Sequence, residues 1–529
     1  MRHALALIAL LLAAGGPAPA QEVSLQAEYR RDAVDYDESV SEFYRLKTGL
    51  LFSEKSSFNA ALVRSAGAEH CDYTWFLALN DAVSGGRLMV GHYTARFGGG
   101  LVLGRRSPFN PDDLSRRVSS TERDTFSGVT SGNPQYAFYG AAVSVDTGDA
   151  ELHARFDSFF SSATRFLDAD GYFSGGTDAG IDTVRSSNRT AAKSEPVCLE
   201  NIGFGFSAVM GGSLRVQASS LLTRMSRPQG GSLLWDRESG SPGRPGTRSV
   251  SNSELFVEYR EDSLGLFFEP AVSFVDREND DGPLRTLTGY AYLCGFTFQG
   301  PRLEGTLIRK YTAPEYYAPY GASIGEQFPE RAWFFDCALP CGVFSAGTSL
   351  SSEKKLKPDS RDDALPLSVK EELFLRAQRS SIDGSQLSYR VLTVTGNGET
   401  SRKRQLNARL KFKAFDRLAA ALGTVVQSRS GARTSKLVST SLGTEFGKIN
   451  ATAAYCRALV SAGNSLYAVI APPEHASIPG TMLKRSAHVI AARISASCAG
   501  ARFSIRTFHL LSAGEPVRHT LDISGQASF

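Results

Sequence analysis

The chain ends in the residues Thr520-Leu-Asp-Ile-Ser-Gly-Gln-Ala-Ser-Phe529, and this stretch alternates between two kinds of side chain. One face carries Leu521, Ile523, Gly525, Ala527 and Phe529, and polar residues stand between them. Strict alternation with a period of two is the pattern of a β-strand that has one apolar face. The stretch therefore predicts a strand, and it directs attention to alternation elsewhere in the chain.

A strand that ends on an aromatic residue resembles the closing strand of bacterial outer-membrane β-barrels. This resemblance implies that Phe529 is an assembly signal, read by the barrel assembly machinery. It also implies a cell outer-membrane location, with outer-membrane lipids as partners.

The first 20 residues have the three parts of a secretory signal peptide. Arg2 and His3 form a short positive region, Ala4 to Ala14 an apolar region, and Ala18-Pro19-Ala20 a small-residue cleavage site. The apolar region is shorter than the roughly 20 residues that a membrane-spanning helix needs. We therefore divide the chain into a signal peptide, 1–20, and a mature part, 21–529.

The composition of the chain favours a barrel. Hydrophobic residues make up 42% and charged residues 21%, while Gly (50) and Phe (32) are abundant. Only half of each barrel strand faces lipid and the lumen is polar, so a barrel has a moderate average hydrophobicity. The net charge of +4 falls to +3 without Arg2, which is too small to indicate a nucleic-acid partner.

Alternating segments recur along almost the whole mature chain. Gln405–Lys413 places Leu406, Ala408, Leu410 and Phe412 on one face, and Glu151–Phe160 has the same pattern. Strands survive in lipid only when every backbone group is paired, which requires a closed sheet. The sequence thus predicts an all-β fold, a single antiparallel transmembrane β-barrel. The alternative is a soluble β-sandwich, but no linker divides the chain into domains of that size.

Turns and loops follow a rhythm of short and long connections. Tight turns are predicted at Asp146–Asp149, Gly211–Ser213 and Gln299–Pro301, and long polar loops at Thr164–Pro196, Arg227–Ser249, Asp276–Gly282 and Thr312–Glu330. Barrels have short periplasmic turns and long extracellular loops, so the rhythm assigns the two sides. About 25 candidate strands are found within a range of roughly 20 to 26. Termini on one side require an even number, and the segment Ser465–Ile470 is the weakest candidate.

Two segments carry a further resemblance. Gly86–Gly104 reads GRLMVGHYTARFGGGLVLG, which is similar to the Gly-Asp-Tyr…Phe-Gly-Gln-Gly-Leu pattern of a poorly characterised group of outer-membrane barrels from Bacteroidetes and related diderms. His92 stands at that group's Asp and Gly99 at its Gln, and Tyr311–Phe328 looks like its Tyr-rich segment. The resemblance implies a barrel and assigns no reaction. Some members are linked to helix-hairpin-helix modules, which this sequence lacks, so no nucleic acid is expected.

A cluster of basic residues follows the glycine run. It consists of Arg96, Arg105, Arg106, Arg116 and Arg117. Asn110-Pro111-Asp112-Asp113 has the cap, first-turn proline and acids that begin a helix, predicted at 111–118. If this loop folds into the lumen, its arginines form a pore constriction that favours anions. The alternative is a solvated outer loop with ordinary charges.

Gly98–Gly100 is read as a strand kink rather than a phosphate cradle, because no βαβ unit surrounds it.

Seven cysteines leave one thiol without a partner in a monomer. Cys337 and Cys341 flank Ala-Leu-Pro, and two readings stay open: a disulfide across a turn, or two thiols in neighbouring strands. No His lies at ligand spacing beside them, so no metal is predicted. The acids at Asp276, Glu278, Asp280 and Asp281 miss the calcium-loop pattern and predict a solvated tip.

An outer-membrane enzyme is the other functional class. His488, His509 and His519 lie on late strands near serines, but serines are common throughout. Gly321-Ala-Ser-Ile-Gly325 fits a nucleophile-elbow pattern, which works only in an α/β sheet. Alternation also begins at Val23, which argues against a large amino-terminal plug. We therefore predict no catalytic residues, no cofactor and no enzyme.

The function expected is a porin-like channel or solute transporter for an unidentified small solute. The alternative is a barrel with a closed lumen, whose loops bind a host or envelope partner.

Overall fold

The computed structural model describes most of the mature chain. The described residues are 22–34, 37–53, 56–64, 72–83, 85–98, 100–103, 125–129, 137–149, 151–167, 195–229, 246–279, 282–313, 315–318, 330–341, 343–355, 367–377, 385–396, 399–415, 418–430, 434–461, 466–468, 481–483, 485–498, 501–512 and 518–528. The predicted signal peptide, the 111–118 helix, the Gly321–Gly325 motif and Phe529 lie outside these residues.

The described part of the chain consists of β-strands and their connections. The strands of its first half are β1 (Glu22–Val34), β2 (Asp37–Ser53), β3 (Ser56–Arg64), β4 (Asp72–Val83), β5 (Gly86–Ala95), β6 (Phe126–Gly128), β7 (Phe138–Gly148), β8 (Leu152–Leu167), β9 (Glu195–Met210), β10 (Leu214–Gln229), β11 (Gly246–Glu261), β12 (Leu264–Asn279), β13 (Gly282–Gln299) and β14 (Glu304–Thr312).

The second half continues the same meander. Its strands are β15 (Glu330–Cys341), β16 (Phe344–Lys355), β17 (Leu367–Ala377), β18 (Gln386–Gly396), β19 (Glu399–Phe415), β20 (Leu418–Arg429), β21 (Ser435–Phe446), β22 (Ile449–Leu459), β23 (Leu466–Ala468), β24 (Thr481–Leu483), β25 (Ala487–Cys498), β26 (Ala501–Ser512) and β27 (Arg518–Ser528).

The main sheet closes on itself. Each strand pairs antiparallel with the next one along the ring, and β27 returns to β1 with Ser528 opposite Ser24 and Arg518 opposite Val34. Three short strands stand outside this ring: β6 pairs with the end of β5, and β23 pairs with β24 in a separate sheet. Among the described residues the ring therefore has 24 strands, which confirms the single antiparallel barrel and the even number. The count of 25 was one too many, and the weak candidate Ser465–Ile470 contains β23, outside the ring.

The predicted alternation decides which side chains face outward. Phe156 and Phe160 are each 54% exposed, and Leu410 is 48% exposed, while Asp157 between the two phenylalanines is buried. A band of exposed large apolar side chains on a closed sheet needs lipid around it. The protein is accordingly an outer-membrane β-barrel. No helix in the described ranges has the length and apolar character to cross a membrane.

The connections at the two rims differ in length, as predicted. Gly211–Ser213 joins β9 to β10, and residues 262–263 join β11 to β12 at the same rim. At the other rim, residues 168–194 follow β8 and residues 460–486 follow β22. Both ends of the described chain lie at the rim with short turns, which is the periplasmic one by the usual rule.

One predicted long loop is wrong. Asp276–Gly282 was assigned to a loop because of its acids, but β12 continues to Asn279 and β13 begins at Gly282. The polar residues extend the hairpin above the apolar band. Asp276 is held within the sheet, where its carboxylate accepts hydrogen bonds from Ser249 Oγ at 2.6 Å and Thr286 Oγ1 at 2.7 Å.

Aromatic rings line the outside of β13–β15 towards the long-loop rim. The Arg309 guanidinium lies 4.9 Å from the ring centre of Trp333 and 5.6 Å from that of Tyr292. Arg331 lies over Tyr311 in the same way, at 5.6 Å. Rings of this kind mark the interface between lipid and water in membrane barrels, where an apolar body and a polar edge are both accommodated.

Both readings of the cysteine pair are wrong. Cys337 and Cys341 lie on one strand, β15, four residues apart and on the same outward face. A strand rises about 3.3 Å per residue, so their Cα atoms are about 13 Å apart, well beyond the roughly 7 Å limit for a disulfide. Both thiols are free. The Ala-Leu-Pro sequence suggested a turn, but it continues the strand.

Candidate functional site: the barrel lumen

The chain after β5 turns into the lumen. Residues 97–98 and 100–103, which we call the inner loop, bind the wall through their backbone N–H groups. Leu101 N–H donates to Glu269 Oε1 at 2.8 Å, and Val102 N–H donates to Glu254 Oε2 at 2.8 Å. All four residues are buried, and Glu269 and Val102 are 0% exposed. Carboxylates on β11 and β12 therefore hold the inner loop against the wall.

Further polar contacts extend this attachment. Gly98 N–H donates to Gln217 Oε1 on β10 at 3.1 Å, and Ser219 Oγ donates to Glu254 Oε1 at 2.8 Å. Gly98 and Gly100 have φ values of +49° and +94°, which L-residues with a side chain rarely adopt. The change of chain direction predicted at the glycine run is confirmed, but it lies after the end of β5 at Ala95 and not within a strand. Within the described part of the glycine run, the Gly98 N–H is used by a side chain of the wall.

Apolar packing fills the space around these polar contacts. Phe97, Val102 and Leu103 are buried in a cluster with Phe256 and Phe267 of the wall. A Cβ atom at Gly205 on β9 would overlap the Phe97 ring, so the glycine there leaves the room that this ring occupies. The wall is thus shaped for the inner loop, and this side of the lumen is closed by packed side chains.

A second segment covers the inner loop. After β14, residues 313 and 315–318, the Tyr316 segment, also fold inward. Tyr316 Oη donates to the Leu101 carbonyl oxygen at 3.0 Å, while Asn252 Nδ2 donates to the Tyr317 carbonyl oxygen at 2.7 Å. The two stretches that carry the family resemblance, more than 200 residues apart in sequence, therefore meet inside the barrel.

Burial, followed by the nearby Glu254 and Glu269, raises the pKa of Tyr316 well above its ordinary value. Tyr316 consequently keeps its proton and remains a hydrogen-bond donor at neutral pH. The hydrogen bond to the inner loop does not titrate in the physiological range.

Another connection enters the lumen on a different part of the ring. Leu466 of β23 and Leu483 of β24 are buried against inward residues of β22 and β25, among them Cys456 and Val489. Two inward-folded connections therefore narrow the lumen from different sides, and the wall of β17–β20 lies between them.

The wall between these two connections is polar and basic. Its described inward positions carry Lys370, Arg390, Lys403, Arg409, Lys411 and Arg429, with Glu372 as the acidic residue. Arg390 donates two hydrogen bonds to Glu372 Oε2, at 2.8 Å and 3.1 Å, and Lys370 Nζ lies 3.6 Å from the same oxygen. Among its described inward positions, this wall therefore carries more basic than acidic side chains.

The predicted arginine constriction is described only at its first residue. Arg96 follows β5 directly, and its backbone N–H donates to the Thr125 carbonyl oxygen at 2.9 Å. Arg105, Arg106, Arg116 and Arg117 lie outside the described residues, so their predicted constriction remains a prediction. The structure does show that the chain leading to them enters the lumen.

The histidines weighed as catalytic candidates lie on the outward face. His488 Nδ1 is 2.7 Å from Tyr455 Oη, and His509 Nδ1 is 2.6 Å from His519 Nδ1. His509 and His519 face each other across β26 and β27. These contacts are between ring side chains of neighbouring strands, near the ends of β25, β26 and β27 at the long-loop rim.

Comparison with known proteins gives a likeness of structure only. No protein-family model matches the sequence, and no curated protein matches it. The siderophore receptor PirA from Pseudomonas aeruginosa is similar, with a TM-score of 0.48 and 10% identity over 97% of this chain and 81% of that one. The ferric enterobactin receptor PfeA from the same organism has a TM-score of 0.46 and 12% identity over 97% and 81%. The translocation pore of the P pilus usher PapC has a TM-score of 0.41 and 10% identity over 96% and 99%. At these values no substrate is carried over to this chain.

The residues that hold the inner loop were not singled out from the sequence. Glu254 and Glu269 were not distinguished, and Tyr316 was noted only as part of the Tyr-rich segment Tyr311–Phe328. The sequence does contain a signal for the two glutamates. An acidic residue at an inward strand position, beside apolar inward neighbours, needs a buried hydrogen-bond partner.

Proposed function

We propose that this barrel is a porin-like channel or solute transporter that passes or binds a small polar solute. The observation that carries the proposal is the division of the lumen. One part of the wall is covered by the inner loop and the Tyr316 segment, while β17–β20 presents charged and polar side chains. A lumen that keeps a polar wall beside an inward-folded loop has the arrangement of a selective passage.

The arginine loop belongs to this proposal. Residues 97–98 and 100–103 fold into the lumen, and Arg96 N–H donates to the Thr125 carbonyl oxygen, so the described residues on either side of the connection lie close together. Arg105, Arg106, Arg116 and Arg117 lie in the connection between these two points. Positive side chains held there would raise the local anion concentration, most strongly at low salt.

The test is the reversal potential of the purified barrel in a planar bilayer under a salt gradient. Replacing Arg105, Arg106, Arg116 and Arg117 by Gln should shift the selectivity away from anions, with the larger shift at low salt. The replacement Arg502→Gln, at the start of β26, removes one charge far from this loop and should change little. A quadruple variant that inserts normally and keeps the parent's selectivity would place the arginine loop outside the permeation path. A parent that carries no current would instead favour the closed barrel with partner-binding loops.

A further inference from the structure

A cavity opens into the inward face of β17–β21. Its volume is about 270 Å³, and its lining includes Gln386, Ser388, Asn407, Arg409, Gly423 and Ser439. Sites for drug-sized ligands usually measure roughly 300–1,000 Å³, so this cavity suits a smaller solute. It lies below the rim, on the basic wall between the two inward-folded connections.

Arg409 is the residue around which the cavity is arranged. Its side chain is half-buried and makes no hydrogen bond or ion pair within the described residues. Its register partners are Gln386 on β18 and Gly423 on β20. A buried guanidinium normally finds an acceptor, because its five N–H donors lose their hydration. Arg409 has the donors in place and lacks an acceptor among the residues that the structure describes.

Gly423 provides the room beside this guanidinium. The next inward residue in the same row is Ser439, and a Cβ atom at Gly423 would lie 2.6 Å from its hydroxyl oxygen. The Ser439 hydroxyl is only weakly engaged, since it donates to the Gly423 carbonyl oxygen at 3.4 Å. A side chain at Gly423 would fill the notch that lies between Arg409 and Ser439.

The local charge favours an anion. Glu372 also lines the cavity, but Arg390 and Lys370 bind its carboxylate. Lys403 lies further up the same wall and adds positive charge. The amides of Gln386 and Asn407 and the hydroxyl of Ser388 complete a lining that is rich in hydrogen-bond donors.

We propose that this cavity is a binding site for a small solute that carries a carboxylate or phosphate group. The Arg409 guanidinium binds two oxygens of that group side by side, as its planar donors allow. The Ser439 hydroxyl and the Gln386 amide donate to the free lone pairs of the same two oxygens in a carboxylate, or to the other oxygens of a phosphate. This site defines the class of solute for the proposed channel or transporter. The inference rests on the proposed function only because the solute must be able to reach the lumen.

The experiment is a calorimetric titration of the folded full chain in detergent, with potassium succinate in one arm and potassium phosphate in the other. Both arms are run at constant ionic strength, adjusted with potassium chloride. The parent should bind at one site, and Arg409→Gln should weaken the affinity at least about tenfold, as expected for a lost charge-assisted hydrogen-bonded pair. Gly423→Val keeps every charge and should weaken binding similarly, because it fills the notch.

Arg429→Gln is the matched control, since it removes one positive charge from the same wall outside the cavity lining. It should change the affinity less than about twofold, because a charge at that distance is screened. Binding of succinate alone identifies a carboxylate site, and binding of phosphate alone a phosphate site. The proposal is overturned if the parent binds neither probe, or if Arg409→Gln and Arg429→Gln weaken binding equally. Binding by a barrel that carries no current would refute the channel and leave this site standing.

Discussion

The backbone N–H of Val102 donates a hydrogen bond to Glu254 Oε2 at 2.8 Å, across 152 residues of sequence. Val102 belongs to the inner loop and Glu254 to the wall of the barrel, and both are buried. A buried N–H group without an acceptor is costly, so this contact fixes the inner loop in its position more firmly than apolar packing alone would.

Replacing Glu254 by Ala should release the inner loop. The change leaves the Val102 N–H and the Ser219 hydroxyl without their acceptor, at a cost of about 1–3 kcal/mol for each group. Hydrogen exchange of the peptide that contains the inner loop should accelerate about tenfold or more. Glu258→Ala, on the same strand and face, serves as the control because Glu258 pairs with Arg260 and Arg215. Unchanged exchange in Glu254→Ala would show that the carboxylate does not hold the loop.

Replacing Tyr316 by Phe should weaken the same loop by about 0.5–1.5 kcal/mol, the usual contribution of one neutral hydrogen bond. The raised pKa of Tyr316 sets the pH dependence of this loss. A raised folded-state pKa stabilises the protein fully below the unfolded-state pKa of about 10, and the stabilisation disappears as the pH rises through the folded value. The difference in unfolding free energy between parent and variant should therefore stay constant between about pH 6 and about pH 9. A difference that shrinks within this range would contradict the assignment.

The fit of Phe97 to Gly205 can be tested by overpacking. Gly205→Ala places a Cβ atom within the Phe97 ring and should destabilise the barrel by about 1–3 kcal/mol in urea titrations of lipid-embedded protein. Adding Phe97→Ala to Gly205→Ala should recover part of the lost stability, because the effects of substitutions at two residues in contact are not additive. Gly443→Ala is the control, since the nearest atom to its Cβ lies at 3.5 Å. If the two substitutions change the unfolding free energy in a strictly additive way, the Phe97 ring does not lie against Gly205.

Cys337 and Cys341 should remain reduced and independent. Peptide mass mapping of the oxidised, unboiled barrel should find no bond between them, and Cys337→Ser with Cys341→Ser should leave the heat-dependent gel migration unchanged. A disulfide between Cys337 and Cys341 in the folded fraction would contradict this prediction, because the bond requires a turn where the structure has the extended strand β15.

The fold was accessible from the sequence because alternation is a local property. Leu410 and Phe412 face outward as predicted, since a strand of period two places them on one side whatever its neighbours are. The hairpin at Asp276–Gly282 was wrongly predicted as a loop, again because the prediction used only a local property of the sequence. Polar residues predict solvent contact, but strands above the lipid band are polar too, so composition cannot separate them from a loop.

The inner loop was only partly accessible. The glycine run predicted the kink, because Gly98 and Gly100 adopt positive φ values that a local pattern can indicate. The partners of the loop were missed because Glu254, Glu269 and Tyr316 are 152 or more residues away from it in sequence. Such contacts depend on the register of the closed ring, which no single strand specifies.

We propose that the lumen passes solute beside an inward-folded loop held by Glu254. The single-channel conductance of the parent and of Glu254→Ala in planar bilayers tests it most directly, with Glu258→Ala as the control for folding and insertion. We expect a stable conductance in the parent and in the control, and a larger or more variable conductance in Glu254→Ala. If all three barrels insert and none carries current, the lumen is closed and the account is wrong.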